Sequence, residues 1–421
     1  MRFPKIAAAT AVVLLASACG GGSGDGGEAD SLTVWVMGTS QDPLVEYFDD
    51  AESRFQESHP GVSVEVEFIP WPDAQQSITN ALAGGDAPDV LEVGNDQVAN
   101  WASQGALMDI TEQVGGWDAA AGIDENALES GTYEGVQYGV PWFSGVRTLF
   151  YRADWLEELG MEPPETWDEL VEVAEAIEGE YDVPGFAAPT DFTNGIASFV
   201  WSNGGEIATQ NGDEWEGQLT DPATMEALEF YASLTTDGIS PQEYVGQNEL
   251  IALADMANSE LGMYIDGGWA LTSMEEQAAD PAVVENIAAA PIPGADGMAP
   301  ALAGGSALTV FSTTEHPDLA FDLLTVLGDE EGGQGYADVG GFFPAYPHLL
   351  EEYKEDPDRA AAATQMQSIR YFPTTPRWTA ADQDGKILPS AMLEIVQGGD
   401  PEEVLSAANE ELTTILNEPV E

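Results

Sequence analysis

The first third of the chain alternates apolar runs with amphipathic segments. Residues 32–37 form a continuous apolar run typical of a buried strand, and alternating Val62, Val64, Val66 and Phe68 predict a second strand. Helical spacing of apolar residues predicts helices over 42–55 and 73–83, and a third strand follows at 89–93. A β-α-β-α-β order implies parallel strands joined by right-handed crossovers, so the pattern predicts an α/β fold.

Further strands and helices are predicted downstream. Two strand pieces at 138–142 and 148–151 flank an expected loop at 143–145, and later strands are expected at 261–266, 287–292 and 308–312. Thr166 and Glu169 have the spacing of a capping box at a helix start. Helices are expected at 317–327 and 401–416. No repeat of fixed period is present, which excludes solenoids and propellers.

The loops that follow the first strands carry the first candidate site residues. Ligands of open parallel sheets bind beyond the carboxyl ends of the strands. Those loops contain Trp71, Asn95 and Asp96.

Charge narrows the range of partners. The 421 residues include 10 Lys plus Arg against 76 Asp plus Glu, a net charge of -66. Such a field repels phosphate backbones and anionic lipid headgroups, so nucleic acid is excluded as a partner. The single cysteine, Cys19, excludes intramolecular disulfides and cysteine-based metal clusters, and the 3 histidines are far apart in sequence. We therefore expect neither a metal nor a cofactor.

The N-terminus has the pattern of an export signal. Arg2 and Lys5 precede an apolar run at 6–16 that is too short to span a bilayer. Small residues before Cys19 resemble the lipobox of bacterial lipoproteins, although Ala16 stands where that motif prefers Leu. We predict a signal peptide at 1–18, followed by a lipidated Cys19 and a flexible linker at 19–30. The protein would then be anchored to the outer face of the cell membrane, or lie in the periplasm of a Gram-negative host.

Aromatic and arginine residues supply candidate chemistry for binding. Five of the 11 tryptophans stand near predicted strand ends or glycine turns: Trp35, Trp142, Trp201, Trp269 and Trp378. Flat aromatic faces suit the C–H surface of a sugar ring; core packing is the better explanation of any one tryptophan taken alone, and a position at a loop junction lowers its weight. Arg147 and Arg377 lie in aromatic settings and can donate paired hydrogen bonds to hydroxyls or carboxylates.

No catalytic signature is present. The chain contains no GxSxG elbow, Walker A loop or complete EF-hand loop, and the segment Asp382-x-Asp384-Gly385 fits a surface turn better than a calcium loop. Two carboxylates flanking a sugar would still make a glycosidase, and 76 acidic residues leave that alternative open.

Five stretches resemble a known family. They are ALAGGDAPDVLEVGNDQ at 81–97, YGVPWFSGVRTLFYRADWLEELG at 138–160, PPETWDEL at 163–170, GMYIDGGWAL at 262–271 and GGSALTVFSTTEHPDLAFDLL at 304–324. Their order is similar to that of the extracellular solute-binding proteins of carbohydrate ABC importers, such as the maltose and diacetylchitobiose binders. The resemblance covers nearly all of 31–421.

The resemblance implies a two-lobed, periplasmic-binding-protein-like fold of type II. Each lobe would be a mainly parallel sheet flanked by helices, with hinge strands between them. Lobe 1 would comprise 31–140 and 262–311, and lobe 2 would comprise 141–261 and 312–421. Hinge closure of a cleft between the lobes would trap a sugar.

The resemblance also assigns roles to individual residues. Asp96 matches an acidic residue that binds sugar hydroxyls, and Trp269 matches the stacking aromatic after the GMYIDG strand. The complete set of expected ligand contacts is Trp35, Trp71, Asn95, Asp96, Trp142, Phe143, Ser144, Arg147, Trp201, Asp266, Trp269, Gly305, Phe343, Arg377 and Trp378.

These observations predict a monomeric, non-enzymatic lipoprotein that delivers a sugar to ABC permease subunits in the membrane. The ligand would be a di- or oligosaccharide such as chitobiose, cellobiose or maltose. Two alternatives stay open at this point: a secreted glycoside hydrolase, and a binder of a non-sugar solute such as a glycerol phosphodiester.

Overall fold

The computed structural model describes residues 31–40, 42–84, 86–212, 214–357 and 359–419. The predicted signal peptide at 1–18, Cys19 and the rest of the linker to residue 30 lie outside the described residues.

The strands are β1 Ser31–Met37, β2 Ser63–Ile69, β3 Val90–Gly94, β4 Thr132–Tyr133, β5 Val136–Gln137, β6 Gly139–Arg152, β7 Ala208–Asn211, β8 Glu214–Gly217, β9 Met263–Gly267, β10 Ile287–Ala290, β11 Pro293–Gly294, β12 Gly297–Met298, β13 Ala301–Val310, β14 Phe343–Pro344 and β15 Ile369–Arg370.

The α-helices are α1 Asp42–Ser58, α2 Trp71–Leu82, α3 Val98–Ser103, α4 Thr111–Gly115, α5 Glu125–Ser130, α6 Ala153–Leu159, α7 Trp167–Tyr181, α8 Thr193–Ser202, α9 Pro222–Thr236, α10 Glu249–Ala257, α11 Trp269–Gln277, α12 Pro317–Gly328, α13 Glu330–Gly340, α14 Leu350–Tyr353, α15 Ala360–Gln365, α16 Ile387–Val396 and α17 Pro401–Leu416.

One mixed sheet organises the molecule, with strand order β10-β6-β13-β3-β1-β2 and with β9 and β14 also paired to β6. β1 is parallel to β2 and β3, which confirms the predicted β-α-β-α-β unit. Beyond β3 the pairing changes, because β13 is antiparallel to both β3 and β6, and β9 and β10 are antiparallel to β6. The expectation of a mainly parallel sheet throughout is therefore wrong outside β1–β3, since these later strands do not enter through β-α-β crossovers.

β6 is one continuous strand of 14 residues where two pieces and a loop had been predicted. Gly145, in the expected loop, pairs with Gly304 on β13, and the neighbouring Ser144 pairs with both Gly305 and Phe343. The strand continues through the glycine because β13 pairs with the backbone on either side of it as well as with Gly145 itself. A glycine inside a strand often marks a close approach by another group, and at Gly145 that group is the Trp269 ring.

The hydrophobic core groups the chain differently from the predicted segment boundaries. Met263 and Ile265 on β9 pack with Leu149, although 262–311 was expected to share a unit with the N-terminal strands. Phe321 on α12 packs with Phe48 on α1, although 312–421 was expected in the other unit. The reason is pairing: β9 is hydrogen-bonded to the second half of β6, and that half contributes to the core containing Leu149.

The first turn of α7 is closed by a capping box, as the sequence predicts. The Thr166 hydroxyl accepts a hydrogen bond from the Glu169 backbone N–H, and the Glu169 carboxylate accepts from the Thr166 N–H at 3.2 Å. Buried Leu170 and Val173 then place the helix against the core.

In the part of the chain that the structure describes, no helix combines the length and the apolar character required to cross a bilayer.

Replacement of Thr166 by Ala should lower the free energy of unfolding by about 1 kcal/mol, because the Glu169 backbone N–H loses the hydroxyl that accepts its hydrogen bond. Denaturant titration followed by far-UV circular dichroism measures this difference. Thr236→Ala at the exposed end of α9 is the matched control and should change stability far less. Equal stability of the two variants would contradict a stabilising role for the capping box.

Candidate functional site

A buried arginine lies at the centre of the candidate site. Arg147 on β6 is only 8% exposed, and its guanidinium carbon lies 5.1 Å from the ring centroid of Trp269. Asp266 reaches the same region because β9 pairs with β6, with Thr148 opposite Asp266 and Arg147 opposite Gly267. The pairing brings Asp266 close enough for its charge to act on Arg147, whose guanidinium lies against the Trp269 ring.

Glycines make room for the indole of Trp269. A Cβ atom at Gly267 would lie 2.1 Å from Trp269 Cη2, and one at Gly145 would lie 3.1 Å from Trp269 Cζ3. Real side chains do not tolerate the first of these distances, so the ring packs directly over strand backbone. Phe342, which sequence reasoning did not select, lies 6.2 Å from the same ring, centroid to centroid.

Two polar atoms at this site are buried without a hydrogen-bond partner among the described residues. They are Asn95 Oδ1 and Arg147 Nε. Asp266 is completely buried; one carboxyl oxygen accepts a hydrogen bond of 2.7 Å from the Gly267 N–H, and the carboxyl group also interacts with the Tyr264 hydroxyl. Buried polar groups in proteins are nearly always paired, so Asn95 Oδ1 and Arg147 Nε are available to a polar ligand.

Burial controls the ionisation of the acidic groups. It raises the pKa of Asp266 to about 7, with the Glu249 charge adding to the rise and the Arg147 charge opposing it. Burial also raises the pKa of Asp96 to about 6; the Asp382 charge adds to this rise, and Arg147 again opposes it. Asp96 lies in the turn Asn95–Gln97 directly after β3, where the sequence placed it.

Asp382 joins the site from the far end of the chain. It lies in a π-helical turn, Ala380–Asp384, beside Thr193, and burial raises its pKa. Asp384 and Gly385 are exposed as a surface turn predicts, but Asp382 is directed inward. No local pattern distinguishes these two aspartates, so the sequence could not select Asp382.

Glu92 is a second buried carboxyl group that sequence reasoning missed. It is 1% exposed on β3, its Oε2 accepts a 2.7 Å hydrogen bond from the Met37 N–H, and burial raises its pKa to about 7. The available signal was a charged residue within the apolar run VLEV. Glu92 ties the carboxyl ends of β1 and β3 together just before Asn95 and Asp96.

Some predicted contacts lie in the hydrophobic core instead. Trp142 stacks on Tyr336 with 3.7 Å between ring centroids, and its Nε1 donates to the Leu327 carbonyl at 3.0 Å, so its ring serves packing rather than a ligand. The other predicted aromatics that are buried in core clusters are Trp35, Phe143, Trp201, Phe343 and Trp378.

The remaining predicted residues divide between backbone and surface positions. Ser144 and Gly305 face each other across β6 and β13; Gly305 has φ +141°, and a Cβ there would lie 2.2 Å from the Phe143 carbonyl oxygen. Gly305 therefore permits close strand contact. Trp71 is 46% exposed at the start of α2, and Arg377 donates from Nε to the Glu418 carbonyl at 3.2 Å. The structure thus brings together Asn95, Asp96, Arg147, Asp266 and Trp269 from the predicted set.

This arrangement offers hydrogen-bond donors, acceptors and an aromatic face, and the described residues contain no group of three or more His, Cys, Asp or Glu side chains that could hold a metal ion. A protein-family sequence model, that of the bacterial extracellular solute-binding proteins, matches residues 38–334. The chain belongs to the bacterial extracellular solute-binding protein family. Members of this family bind solutes and catalyse no reaction, so the chain is a binding protein rather than the glycoside hydrolase that the sequence left open.

Relatives of known name support this assignment over most of the chain. The diacetylchitobiose binding protein DasA of Streptomyces coelicolor is 28% identical over 400 residues, which covers 91% of each protein. Two solved structures have the same fold. A solute-binding protein of Thermotoga lettingae, bound with α-D-tagatose, has a TM-score of 0.78 at 24% identity. The match covers 92% of this chain and 100% of the Thermotoga chain. The GacH receptor of Streptomyces glaucescens has a TM-score of 0.78 at 19% identity, over 93% of this chain and 99% of its own.

Replacement of Gly267 by Ala should displace the Trp269 indole and lower the free energy of unfolding by about 1 to 3 kcal/mol, because the new methyl group overlaps the ring. Tryptophan emission and denaturant titration report the two effects. Gly179→Ala, in α7 with open space around its Cβ position, is the control and should leave the emission unchanged. An unchanged emission spectrum in Gly267→Ala would contradict the packing of Trp269 over β9.

The raised pKa of Asp266 predicts a pH dependence of stability. The folded protein holds this proton more tightly than the unfolded chain, so the contribution of Asp266 to the free energy of unfolding falls as the pH rises through about 7. Asp266→Asn removes this contribution. The free energy of unfolding of the variant, minus that of the unaltered protein, should therefore rise by on the order of 2 kcal/mol between about pH 5 and about pH 8.

Denaturant titrations at high ionic strength measure this effect, since salt screens the general repulsion of a chain with net charge -66. Asp237→Asn, at an exposed position after α9, is the control and should show a pH profile parallel to that of the unaltered protein. A parallel profile for Asp266→Asn as well would show that Asp266 does not titrate differently in the folded state.

Proposed function

We propose that the protein is the substrate-binding lipoprotein of an ABC importer and that it captures a sugar at the Arg147 site. The observation that carries this proposal is the pair of unpartnered buried polar atoms, Asn95 Oδ1 and Arg147 Nε, with the Trp269 ring against the Arg147 guanidinium. Sugar hydroxyls satisfy such donors and acceptors, while the C–H face of a sugar ring covers an indole.

Two lobes with a closing cleft fit the distribution of the core. One set of buried residues surrounds β1, β3 and α12, and another surrounds the second half of β6 with α8 and α16. β6 and β13 contribute to both sets, so they are the proposed hinge strands. Asp96 and Asp382 would then approach the ligand from opposite lobes, and their mutual repulsion would oppose closure until a ligand separates or neutralises them.

The charge at the site favours a neutral ligand. The acidic groups whose charges act on Arg147 are Asp266, Glu249 and Asp96, and they weaken the attraction of the single arginine for an anion. A glycerol phosphodiester would have to enter this acidic environment. A neutral di- or oligosaccharide such as chitobiose, cellobiose or maltose meets no such penalty, and the relative DasA is a diacetylchitobiose binder by name.

The anchor and the partners follow from the N-terminal pattern. Lipidation of Cys19 would hold the protein at the outer face of the cell membrane, and the glycine-rich linker to residue 30 would let a monomer reach permease subunits in the same membrane.

Chitobiose, cellobiose and maltose, tested singly against the purified protein, should include one that stabilises it. A ligand at about 100 times its dissociation constant adds about 2.7 kcal/mol to the free energy of unfolding, which a thermal melt detects. Glycerol phosphodiesters should produce no shift, and the saccharide should be recovered intact. Stabilisation by the phosphodiester alone would overturn the choice of a sugar.

Trp269→Ala should weaken the binding of that saccharide by about tenfold or more, since the ring loses its stacking face. Trp155→Ala is the matched control, because Trp155 makes the same kind of cation–π contact with Arg152 at 4.1 Å, away from the Arg147 site. A similar loss of affinity in both variants, or in neither, would argue against Trp269 as the stacking residue.

Cys19→Ala should release the protein from the membrane fraction, because the only attachment site for lipid is lost. Fractionation of cells that express each form, followed by detection of the protein, measures the distribution. Ser17→Ala keeps a small residue before the cysteine and is expected to leave the protein in the membrane fraction. Retention of Cys19→Ala in the membrane would refute lipid anchoring at this residue.

A further inference from the structure

A second pocket lies outside the Arg147 site. It has a volume of about 190 Å³, and its walls come from α8, the β7–β8 hairpin and the segment after β15. The aromatic side chains that line it are Trp201, Trp215, Tyr371 and Phe372. A volume of this size holds several water molecules and therefore has room for a small polar ligand.

The aromatic walls are held in place by packing on both sides. Phe372 lies 5.8 Å from Trp201 and stacks on Trp378 at 4.7 Å, measured between ring centroids. Trp215 sits on a hairpin whose backbone is tied to α17: its N–H donates to Asn417 Oδ1 at 2.9 Å, and its carbonyl accepts from Asn417 Nδ2 at 2.6 Å. The backbone of Trp215 is therefore held in place by Asn417, whichever side chain residue 215 has.

Polar groups complete the lining. Glu206 forms an ion pair with Arg370, and the two side chains remain 38% and 41% exposed at the pocket edge. Tyr371 contributes a hydroxyl whose pKa burial raises to about 12, so it stays protonated and can both donate and accept. Apolar faces combined with a few hydroxyl and carboxylate groups are the composition of a site for a sugar ring.

The residues that line this pocket do not include Asp96, Arg147, Asp266 or Trp269. A smaller neighbouring pocket shares Ile207 with it and is lined by Trp378 and Asp382. We propose that the pocket of Trp201, Trp215, Tyr371 and Phe372 is a second carbohydrate subsite that binds one sugar ring. The ring is either the far end of a saccharide held at Arg147 or a separate saccharide.

This inference rests on the proposed function, and chain length provides its test. Titration calorimetry would compare diacetylchitobiose with its pentasaccharide, and maltose with maltopentaose, in the unaltered protein, Trp215→Ala, Tyr371→Phe and the exposed-surface control Glu229→Gln. We expect the ratio of pentasaccharide to disaccharide affinity to fall about tenfold in Trp215→Ala and less in Tyr371→Phe. Glu229→Gln should keep the original ratio. The hydrogen bonds between Asn417 and the backbone of residue 215 should keep Trp215→Ala folded. Should Trp215→Ala fail to fold, Tyr371→Phe still tests the pocket, because it preserves the shape of the pocket.

The outcomes separate the two proposals. A single pentasaccharide bound per chain identifies the pocket as the far end of one binding groove, whereas two disaccharides bound per chain, with the weaker lost in Trp215→Ala, identify an independent site. An unchanged ratio and stoichiometry in both pocket variants would overturn the second subsite and leave the Arg147 site intact. Failure of the unaltered protein to bind any of the four saccharides would overturn the second subsite together with the choice of sugar.

Discussion

The rest of the structure depends on the unbroken hydrogen bonding of β6. This strand of 14 residues is buried at every position except Tyr151, and it pairs with β13 through its first half and with β9 and β10 through its second. Because side chains alternate along a strand and the partners change midway, β6 contributes to separate hydrophobic clusters. The change of partner occurs near Gly145, where the backbone is open to the Trp269 ring. The hydrophobic clusters, the proposed hinge and the candidate site therefore share one element.

The acidic composition has a local consequence that the net charge does not show. Most carboxylates of this chain are solvated, but Glu92, Asp96 and Asp266 are placed where burial raises their pKa values to about 7, 6 and 7. A charged group removed from water needs a partner, and Arg147 is the cation that opposes the shifts of both Asp96 and Asp266. The site consequently keeps donors and acceptors that internal pairing does not exhaust. Such a site suits a ligand rich in hydroxyl groups.

Family membership and local geometry support the binding function through different parts of the chain. The family assignment covers 38–334, whereas Asp382 and the second aromatic pocket draw on residues beyond that range. The C-terminal segment thus contributes to the candidate site, whose centre lies in the matched region. Aromatic residues around the second pocket divide into two groups: Trp378 supports Phe372 from the core, while Trp215 and Tyr371 are only partly buried in the pocket wall.

Periodicity and short motifs by themselves determined the β-α-β-α-β start, the capping box of α7, the approximate bounds of α12 and α17 and the position of Asp96 after β3. These features depend on neighbours within a few residues, which a sequence displays directly. Tertiary structure alone decided that 143–145 continues β6, that β9 joins its second half and that α12 packs with α1. It also decided which aromatics serve the core, as Trp142 does, and that Asp382 turns inward while Asp384 stays exposed. Each of these depends on burial by residues more than a hundred positions away, and a local pattern contains no information about such partners.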